Sequence, residues 1–362
     1  MSFIILEQQQ IPFAEIPFIS NIADFNDYSQ SVLHFCKCWL QKQSNFEITT
    51  SGSTGTPQSI VWSRELMLWS INNTVRYLNL KSGMHILHCI DANKAGGMMM
   101  LARALYLKMS VEVVHPASNP FTSATSNYYN LASMVPLQVA QLIAESRLDE
   151  LDRIEVLLVG GASLSNSMIN ALQNRPTRIY ATYGMTETAS HIALQLINGV
   201  EKKPMFALLP DVKISIGENQ CAVITTPFHR QLKTNDRLFL GADGRFQVLG
   251  RADNTINSGG VKISLEKVEI AVDIALTSLK LNFFNFCAWK QPDEKLGEAL
   301  IVIFETATLD TAIELTIFQE LSHNLQKYEL PKRFYFTSKL VYTTSGKIDR
   351  NGTALSVFKG NN

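Results

Sequence analysis

The sequence predicts an α/β protein. A large amino-terminal domain of mostly parallel, helix-covered sheets carries a short-strand β subdomain, and is followed by a hinge and a small α+β carboxy-terminal domain. Three observations carry this expectation. Between residues 65 and 197 short β-rich runs alternate with helical patterns, the texture of parallel strands joined by crossover helices. From 211 to 249 the texture changes to short strands separated by turn signals at Gly217 and at Ala242-Asp243-Gly244. After Gly250 a polar, glycine-containing stretch leads into a compact mixed module.

Taken in order, a β-like run at 46–48 precedes strands at 84–90, 110–115, 154–159 and 177–181. Helical patterns lie at 96–107, 137–145 and 165–173. The short strands are 212–216, 222–225, 237–240 and 246–249, and the polar stretch 251–260 is suited to a hinge. Beyond it Leu265, Val268, Val272 and Leu276 recur at helical spacing, before β-like runs at 283–289 and 299–304 and a helix at 312–325. The expected division is 1–250, a hinge at 251–254, and a small mobile domain at 255–362.

Composition narrows the function. At 362 residues, 46% hydrophobic and 18% charged, the chain is globular with room for a sizeable core. Lys+Arg and Asp+Glu are equal at 32 each, so nothing attracts the whole molecule to nucleic acid or an anionic membrane, and any phosphate site is local. Five scattered cysteines suit reduced thiols in a cytoplasm. His34, Cys36 and Cys38 lack a second ligand cluster, and 28–40 reads as an apolar helix, so all three are assigned to core packing. A basic start with a long apolar run is missing, as is any stretch of ~20 apolar residues, so neither a signal peptide nor a membrane span is expected.

Five local patterns bear chemistry. In Thr49-Thr50-Ser51-Gly52-Ser53-Thr54-Gly55-Thr56-Pro57, glycines let backbone N–H groups approach an anion while hydroxyls add donors. It has no Gly-Lys-Ser/Thr ending, so it is not a Walker A loop. In Tyr183-Gly184-Met185-Thr186-Glu187-Thr188, a β-rich run ends in a turn bearing a hydroxyl and a carboxylate. Ligands collect at the carboxyl ends of parallel strands. There Tyr183 can stack on a base, Thr186 bond a phosphate and Glu187 hold Mg²⁺.

Leu157–Ser163 ends a third strand in Gly160-Gly161-Ala162, where a flat ring can lie against backbone. Asp236 can accept ribose hydroxyls and Arg251 can bridge ribose and phosphate. Lys347, on the Ser345-Gly346 turn, is placed to neutralise charge building on a phosphate. Singly, each has a plain alternative: a surface loop, an ordinary turn, a surface ion pair, a solvated lysine.

Their order has none. Thr-Ser-Gly-Ser-Thr-Gly-Thr-Pro, Gly-Gly-Ala, Tyr-Gly-Met-Thr-Glu-Thr, Asn-Asp, Gly-Arg-Ala-Asp with Ser-Gly-Gly-Val-Lys-Ile, and Ser-Gly-Lys-Ile-Asp-Arg follow one another from residue 46 to 355. This series resembles the adenylate-forming superfamily of acyl- and aryl-CoA ligases, peptide-synthetase adenylation domains and luciferases. Within it, Thr186–Leu194 and Gly250–Asn254 followed by Ser258-Gly259-Gly260 look most like the o-succinylbenzoate–CoA ligase family of menaquinone biosynthesis.

The resemblance implies ATP, Mg²⁺ and coenzyme A as reactants or cofactors, and a small carboxylic acid as partner. ATP phosphates would lie over Thr50–Gly55, with Gly161, Ala162, Tyr183 and Gly184 around the adenine and Met185 also binding the nucleotide. Thr186 and Lys347 would act on the phosphates, Glu187 on Mg²⁺, Asp236 and Arg251 on the ribose. A rotation about Asp253 would withdraw Lys347 and present Ser258, Gly259, Gly260 and Lys262 to the pantetheine arm, the two glycines leaving it room. The second, unactivated carboxylate of such an acid needs a buried cation. Lys94 is the leading candidate and Arg103 the next, with Gly96, Ser190 and His191 lining the same pocket.

Three departures stand out. Gln58 occupies the place of the family's usual lysine. Asn235 precedes Asp236 where glycine is usual, and is expected to keep a φ > 0 turn. The phosphate loop begins about a hundred residues earlier than in most relatives, so an amino-terminal layer is missing or reduced and an oligomer would cover the exposed flank. Rival readings at this point are a CoA ligase for another aryl or short-chain acid, a carrier-loading adenylation enzyme, and a non-catalytic nucleotide sensor.

Overall fold

The computed structural model describes residues 2–50, 58–281, 285–343 and 347–359. They form two compact units, residues 1–164 with 171–212, and residues 165–170 with 213–362. The boundary expected at residue 250 falls inside the second unit.

In the first unit a nine-stranded sheet runs in the order β11-β10-β9-β8-β7-β5-β6-β1-β2. Its strands are β1 (Phe3–Leu6), β2 (Gln9–Pro12), β5 (His85–His88), β6 (Ser110–Val113), β7 (Tyr129–Met134), β8 (Ile154–Val159), β9 (Arg178–Met185), β10 (Ser190–Leu196) and β11 (Ala207–Leu208). The six from β9 to β1 are mutually parallel; β2, β10 and β11 are antiparallel additions at the edges. Parallel strands are covered on both faces and read as continuous apolar runs. Thus β8, Ile-Glu-Val-Leu-Leu-Val, buries five of its six residues.

The covering helices are α1 (Asp27–Leu40), α2 (Arg64–Leu78), α3 (Ala95–Leu107) and α4 (Pro136–Ala144), and a separate ribbon pairs β3 (Asn45–Thr50) with β4 (Gln58–Ser63); α5 (Asn166–Leu172) falls mostly within the second unit. Asn26 and Ser63 cap α1 and α2, their side chains accepting the Ser29 and Leu66 N–H groups. From β5 the chain steps to β6 on one side and then to β7 on the other. That reversal is where open α/β sheets bind ligands.

One local expectation changes. Cys36 is buried as foreseen, but His34 is exposed and Cys38 half-buried, their Nε2 and Sγ 3.7 Å apart. Residues four apart share a helix face and a residue two away points elsewhere, so the three cannot all enter the core.

The second unit contains an antiparallel sheet of β12 (Lys213–Ile216), β13 (Cys221–Thr225), β14 (Leu232–Leu240) and β15 (Phe246–Arg251). It also contains β16 (Thr255–Ser258), β17 (Val261–Ser264), β18 (Phe286–Asp293), β19 (Gly297–Glu305) and β20 (Arg333–Thr337), with α6 (Leu265–Ser278), α7 (Thr311–Asn324) and α8 (Arg350–Lys359). Strand β19 alternates its core contributions. Leu300, Val302 and Phe304 pack with Leu265, Val268, Val272 and Leu276 of α6, while Ile301 and Ile303 pack with Ala354 and Val357 of α8. Each such side chain contributes roughly 1.5–3 kcal/mol by leaving water.

Part of the polar stretch 251–260 is built into a strand pair. Residues 255–264 form a hairpin whose turn, Gly259-Gly260, holds φ of +60° and +86°, a left-handed conformation that glycine adopts without strain.

Candidate active site

In the first unit, the segments at and beyond the carboxyl ends of β5, β8 and β9 carry the sequence-predicted residues. Gly160 and Gly161 close β8. A Cβ on Gly160 would lie 2.2 Å from Thr182 Oγ1 of the neighbouring strand, so glycine lets β8 and β9 approach. Gly161 is exposed at φ +93°, and Ala162 beside it is exposed.

The Tyr183–Thr188 segment is tied down on several sides. The Trp62 indole, fully buried, donates to the Thr186 carbonyl at 2.7 Å. Thr188 Oγ1 accepts the Met185 N–H at 3.2 Å and has the Met185 and Ser190 carbonyls at 2.9 and 2.8 Å. Met185 and Thr186 are half-buried and Glu187 exposed. The Tyr183 ring packs on Phe206 with centroids 6.1 Å apart and is 8% exposed, which leaves it little face for a base.

Beyond the turn, Ala189 and Ser190 hold φ of +49° and +92°, and the β9–β10 register shifts between His191 and Ala193. Such bulges re-aim side chains. His191 lies opposite Gly184, where a Cβ would meet the Ser190 carbonyl oxygen at 2.3 Å and His191 Cα at 2.5 Å.

Ser190 and His191 belong to a buried cluster with Arg103. The Arg103 side chain is 1% exposed. Its Nη2 approaches Ser190 Oγ at 3.5 Å, and its Nε has no hydrogen-bond partner among the described residues. Burial pulls its pKa down to about 10, which still leaves a cation at neutral pH. His191 Nδ1 lies 3.3 Å from Ser190 Oγ, and Nε2 lies 2.9 Å from Thr74 Oγ1. Burial, and then the Arg103 charge, push the His191 imidazole well below its ordinary value, so it is neutral.

Lys94, the leading sequence candidate for the buried cation, is instead half-exposed at the N-cap of α3. Of the two glycines after it, Gly96 has its Cβ position 3.2 Å from the tip of the Ile90 side chain, a contact that a small shift of that side chain relieves. Gly97 is the one sterically required, with the Asp91 carbonyl oxygen 2.1 Å from its Cβ position.

The second unit holds the other group. Asp236 on β14 is paired with Arg251 on β15, carboxylate to guanidinium at 3.2 Å. Arg251 also donates to Asp253 at 2.8 and 2.7 Å. Burial works against ionisation of Asp253, but the Arg251 hydrogen bonds and charge, with help from Asn235, outweigh it and hold this carboxyl below its usual range.

Asn235 does not adopt φ > 0 as expected. It sits within β14 and donates its side chain to Asp253 at 3.0 Å, so this position does not need a glycine's freedom. Lys347 stays exposed within electrostatic reach of both partners. The protein packed about it, and then Arg251, lower its ammonium from the ordinary lysine value, with Asp236 pulling back. Thr343 donates its N–H to the Lys347 carbonyl at 2.8 Å. Ser258 is 9% exposed, and Gly259, Gly260 and Lys262 are exposed at the hairpin tip.

The sequence candidates Ser51, Gly52, Ser53, Thr54 and Gly55 lie outside the described residues; Thr50 pairs with Gln58 at the end of the ribbon that brackets them. Among the described residues no three His, Cys, Asp or Glu side chains are grouped to hold a metal, and no helix is long and apolar enough to cross a membrane. Sequence reasoning missed Trp62, Thr74, Gly97 and Thr188. Only Trp62, in the alternating run of β4, carried a visible signal of burial.

With its parallel sheet and these two groups of residues, the chain belongs to the AMP-binding enzyme family, whose model matches residues 41–224. It is 26% identical over 350 residues to the 2-succinylbenzoate–CoA ligase of Listeria monocytogenes, covering 90% of this chain and 72% of that protein. Among solved structures it is similar to an acyl-CoA synthetase (AMP-forming)/AMP-acid ligase II-like protein from Dyadobacter fermentans. That match is 31% identical with a TM-score of 0.60 and covers 92% of this chain and 95% of the other. The fold is also that of the O-succinylbenzoate coenzyme A synthetase of Bacillus subtilis solved with ATP and magnesium, at 20% identity and a TM-score of 0.70 over 85% of this chain and 69% of that one.

Proposed function

We propose that this chain is an ATP-dependent, AMP-forming acid–CoA ligase, and that its acid is o-succinylbenzoate, an intermediate of menaquinone biosynthesis. The observation that carries the choice of acid is Arg103. A guanidinium withdrawn from water with no carboxylate partner among the described residues costs several kcal/mol, and a substrate carboxylate entering beside it would recover much of that. The aromatic carboxylate of o-succinylbenzoate, the one not activated, is such a group. Another aryl or short-chain acid lacking it would leave the charge unmatched.

The chemistry has two displacements. The aliphatic carboxylate attacks the α-phosphorus of ATP and pyrophosphate leaves; the coenzyme A sulfur then attacks the acyl carbonyl, giving thioester and AMP. Asp236 and Arg251 are assigned to the ribose, Gly161, Ala162 and the Gly184–Thr186 segment to adenine and phosphate, and Lys347 to the charge developing between acid and α-phosphate. The first displacement needs positioning and electrostatics more than proton transfer.

One exposed carboxylate, Glu187, at a strand end suits Mg²⁺, which takes few protein ligands and completes its shell with substrate phosphates and water. Bound there, the ion would neutralise phosphate charge. The side-chain-free tip at Gly259-Gly260 suits the narrow pantetheine arm. Residues 251–254 are assigned the hinge, with a small mobile domain after them. The five free thiols support a cytoplasmic setting.

The test is pyrophosphate release with ATP, Mg²⁺ and o-succinylbenzoate, against benzoate and a fatty acid, with coenzyme A added second. Release confined to o-succinylbenzoate and followed by thioester formation supports the proposal. Equal release with benzoate removes the assigned acid.

A further inference from the structure

We infer that Thr74, on α2, is a positioning residue for recognition of the acid's second carboxylate, acting through His191 and Ser190 to fix the Arg103 guanidinium. This rests on the carboxylate-binding role just proposed for Arg103, and adds a residue that never touches the substrate.

The argument follows the protons. The Thr74 hydroxyl has one, and the Ser70 carbonyl accepts it at 3.1 Å. The Thr74 oxygen is therefore the acceptor for His191 Nε2–H at 2.9 Å. That selects one tautomer of the neutral imidazole and leaves a lone pair on Nδ1. Ser190 donates its own proton to that lone pair across 3.3 Å. The Ser190 oxygen is then free to accept from Arg103 Nη2, at the long distance of 3.5 Å. Every proton in the row points away from Arg103, so the row presents an acceptor at its guanidinium end. Held at that one corner, the guanidinium keeps its Nε–H without an acceptor among the described residues, and a ligand carboxylate is the kind of group that supplies one.

The backbone supports the same reading. Ala189 and Ser190 both sit at positive φ, which non-glycine residues seldom adopt and which persists only when the surroundings over-determine it. The surroundings do so here. Ser70, one helical turn before Thr74, donates its hydroxyl to the Ala189 carbonyl at 2.7 Å. Helix α2 thus clamps the strained turn with one residue and orders the imidazole with the next on the same face. Thr74 is fully buried, so neither water nor a surface partner explains its hydroxyl.

The test is Thr74→Val, which keeps the branched shape and removes the acceptor. Pyrophosphate release is measured with o-succinylbenzoate and with 3-benzoylpropionate, which retains the ring and the activated chain but lacks the ring carboxylate. The expected result is a KM for the diacid raised about tenfold, with kcat within about twofold and both constants for the monoacid unchanged. Thr74→Ser restores the wild-type KM. An unchanged diacid KM in Thr74→Val, or an equal change or loss with both acids, overturns the inference. If wild-type protein does not prefer the diacid, the role of Arg103 falls and Thr74 with it. If the preference exists and survives Thr74→Val, only the inference about Thr74 fails.

Discussion

Asp236 and Arg251 face each other across β14 and β15 at 3.2 Å, and the same guanidinium holds Asp253 by two hydrogen bonds two residues along the chain. The pair assigned to the ribose and the residue assigned to the hinge are therefore one ionic group. Arg251 and Asp253 are each 38% exposed, so solvent screens the arrangement and the Arg251–Asp253 contact contributes about 0–1 kcal/mol. A contact that weak can break and reform in each catalytic cycle. Asp253→Asn is expected to change the balance between the two half-reactions more than it changes thermal stability, as followed by pyrophosphate release, thioester formation and calorimetry.

Lys347→Ala is expected to lower adenylation by about 10²–10³-fold, the scale of losing one preorganised transition-state donor. Thioester formation from a supplied acyl adenylate should stay within a few-fold of wild type. Because surrounding protein and Arg251 lower the Lys347 pKa, its proton leaves at lower pH than an ordinary lysine's. The alkaline fall in kcat/KM for adenylation should therefore come early, and the thioester step should lack it. Equal loss of both half-reactions would contradict the assignment of Lys347.

The choice between Arg103 and Lys94 separates cleanly. Arg103→Met is expected to raise KM for o-succinylbenzoate about a hundredfold, within the range for losing one partner of a buried charge pair. Lys94→Met, altering a half-exposed side chain, should leave it within about threefold. Steady-state kinetics on the two variants decide, and the opposite ranking would return the role to Lys94.

Adjacent glycines in α3 should behave differently. Gly97→Ala forces a methyl to within 2.1 Å of the Asp91 carbonyl oxygen and is expected to cost at least about 2 kcal/mol of stability. Gly96→Ala meets only the Ile90 side-chain tip at 3.2 Å and should change stability by less than about 1 kcal/mol. Urea midpoints for the two variants check this.

Glu112, 2% exposed, accepts hydrogen bonds from Ser126, Thr125 and Tyr129. Burial disfavours its charge, but those donors outweigh burial and hold its carboxyl below the ordinary value. Its folded pKa is thus the lower of the two. The stability it contributes is complete above the unfolded pKa and lost as pH falls through the folded one. Glu112→Gln is expected to cost about 2–3 kcal/mol at pH 7 and to flatten the acid side of the stability curve, measured by denaturation between pH 3 and 7.

Most of the α/β framework was legible because alternation of apolar strands and periodic helices is a local property. The runs at 154–159 and 299–304 and the helical spacing of Leu265, Val268, Val272 and Leu276 needed no tertiary information. The site was legible less evenly. Arg103 ranked behind Lys94 because α3 is apolar on every side, from Met98 to Ala104, so spacing alone does not tell which face admits a cation. Asn235 was read as a turn because Asp236 usually follows glycine, yet strand pairing with β15 keeps it extended. The stretch 251–260 was read as a hinge from its polar, glycine-containing composition, and the pairing of its second half with Val261–Ser264 is a longer-range feature that composition does not show. Thr74 carried no signal, since its role depends on His191, 117 residues away.

The two outermost strands of the large sheet bear on how copies of this protein meet in a crowded solution. At one end β11 is two residues long; at the other, β2 is four residues long and ends in Pro12, which has no N–H to offer. A sheet that tapers so at both margins gives little purchase to a foreign strand seeking a ladder of main-chain bonds. Association through these margins would have to rely on side chains, which can be selective, rather than on backbone, which cannot. The breadth of the sheet therefore need not make the protein prone to stacking into fibres.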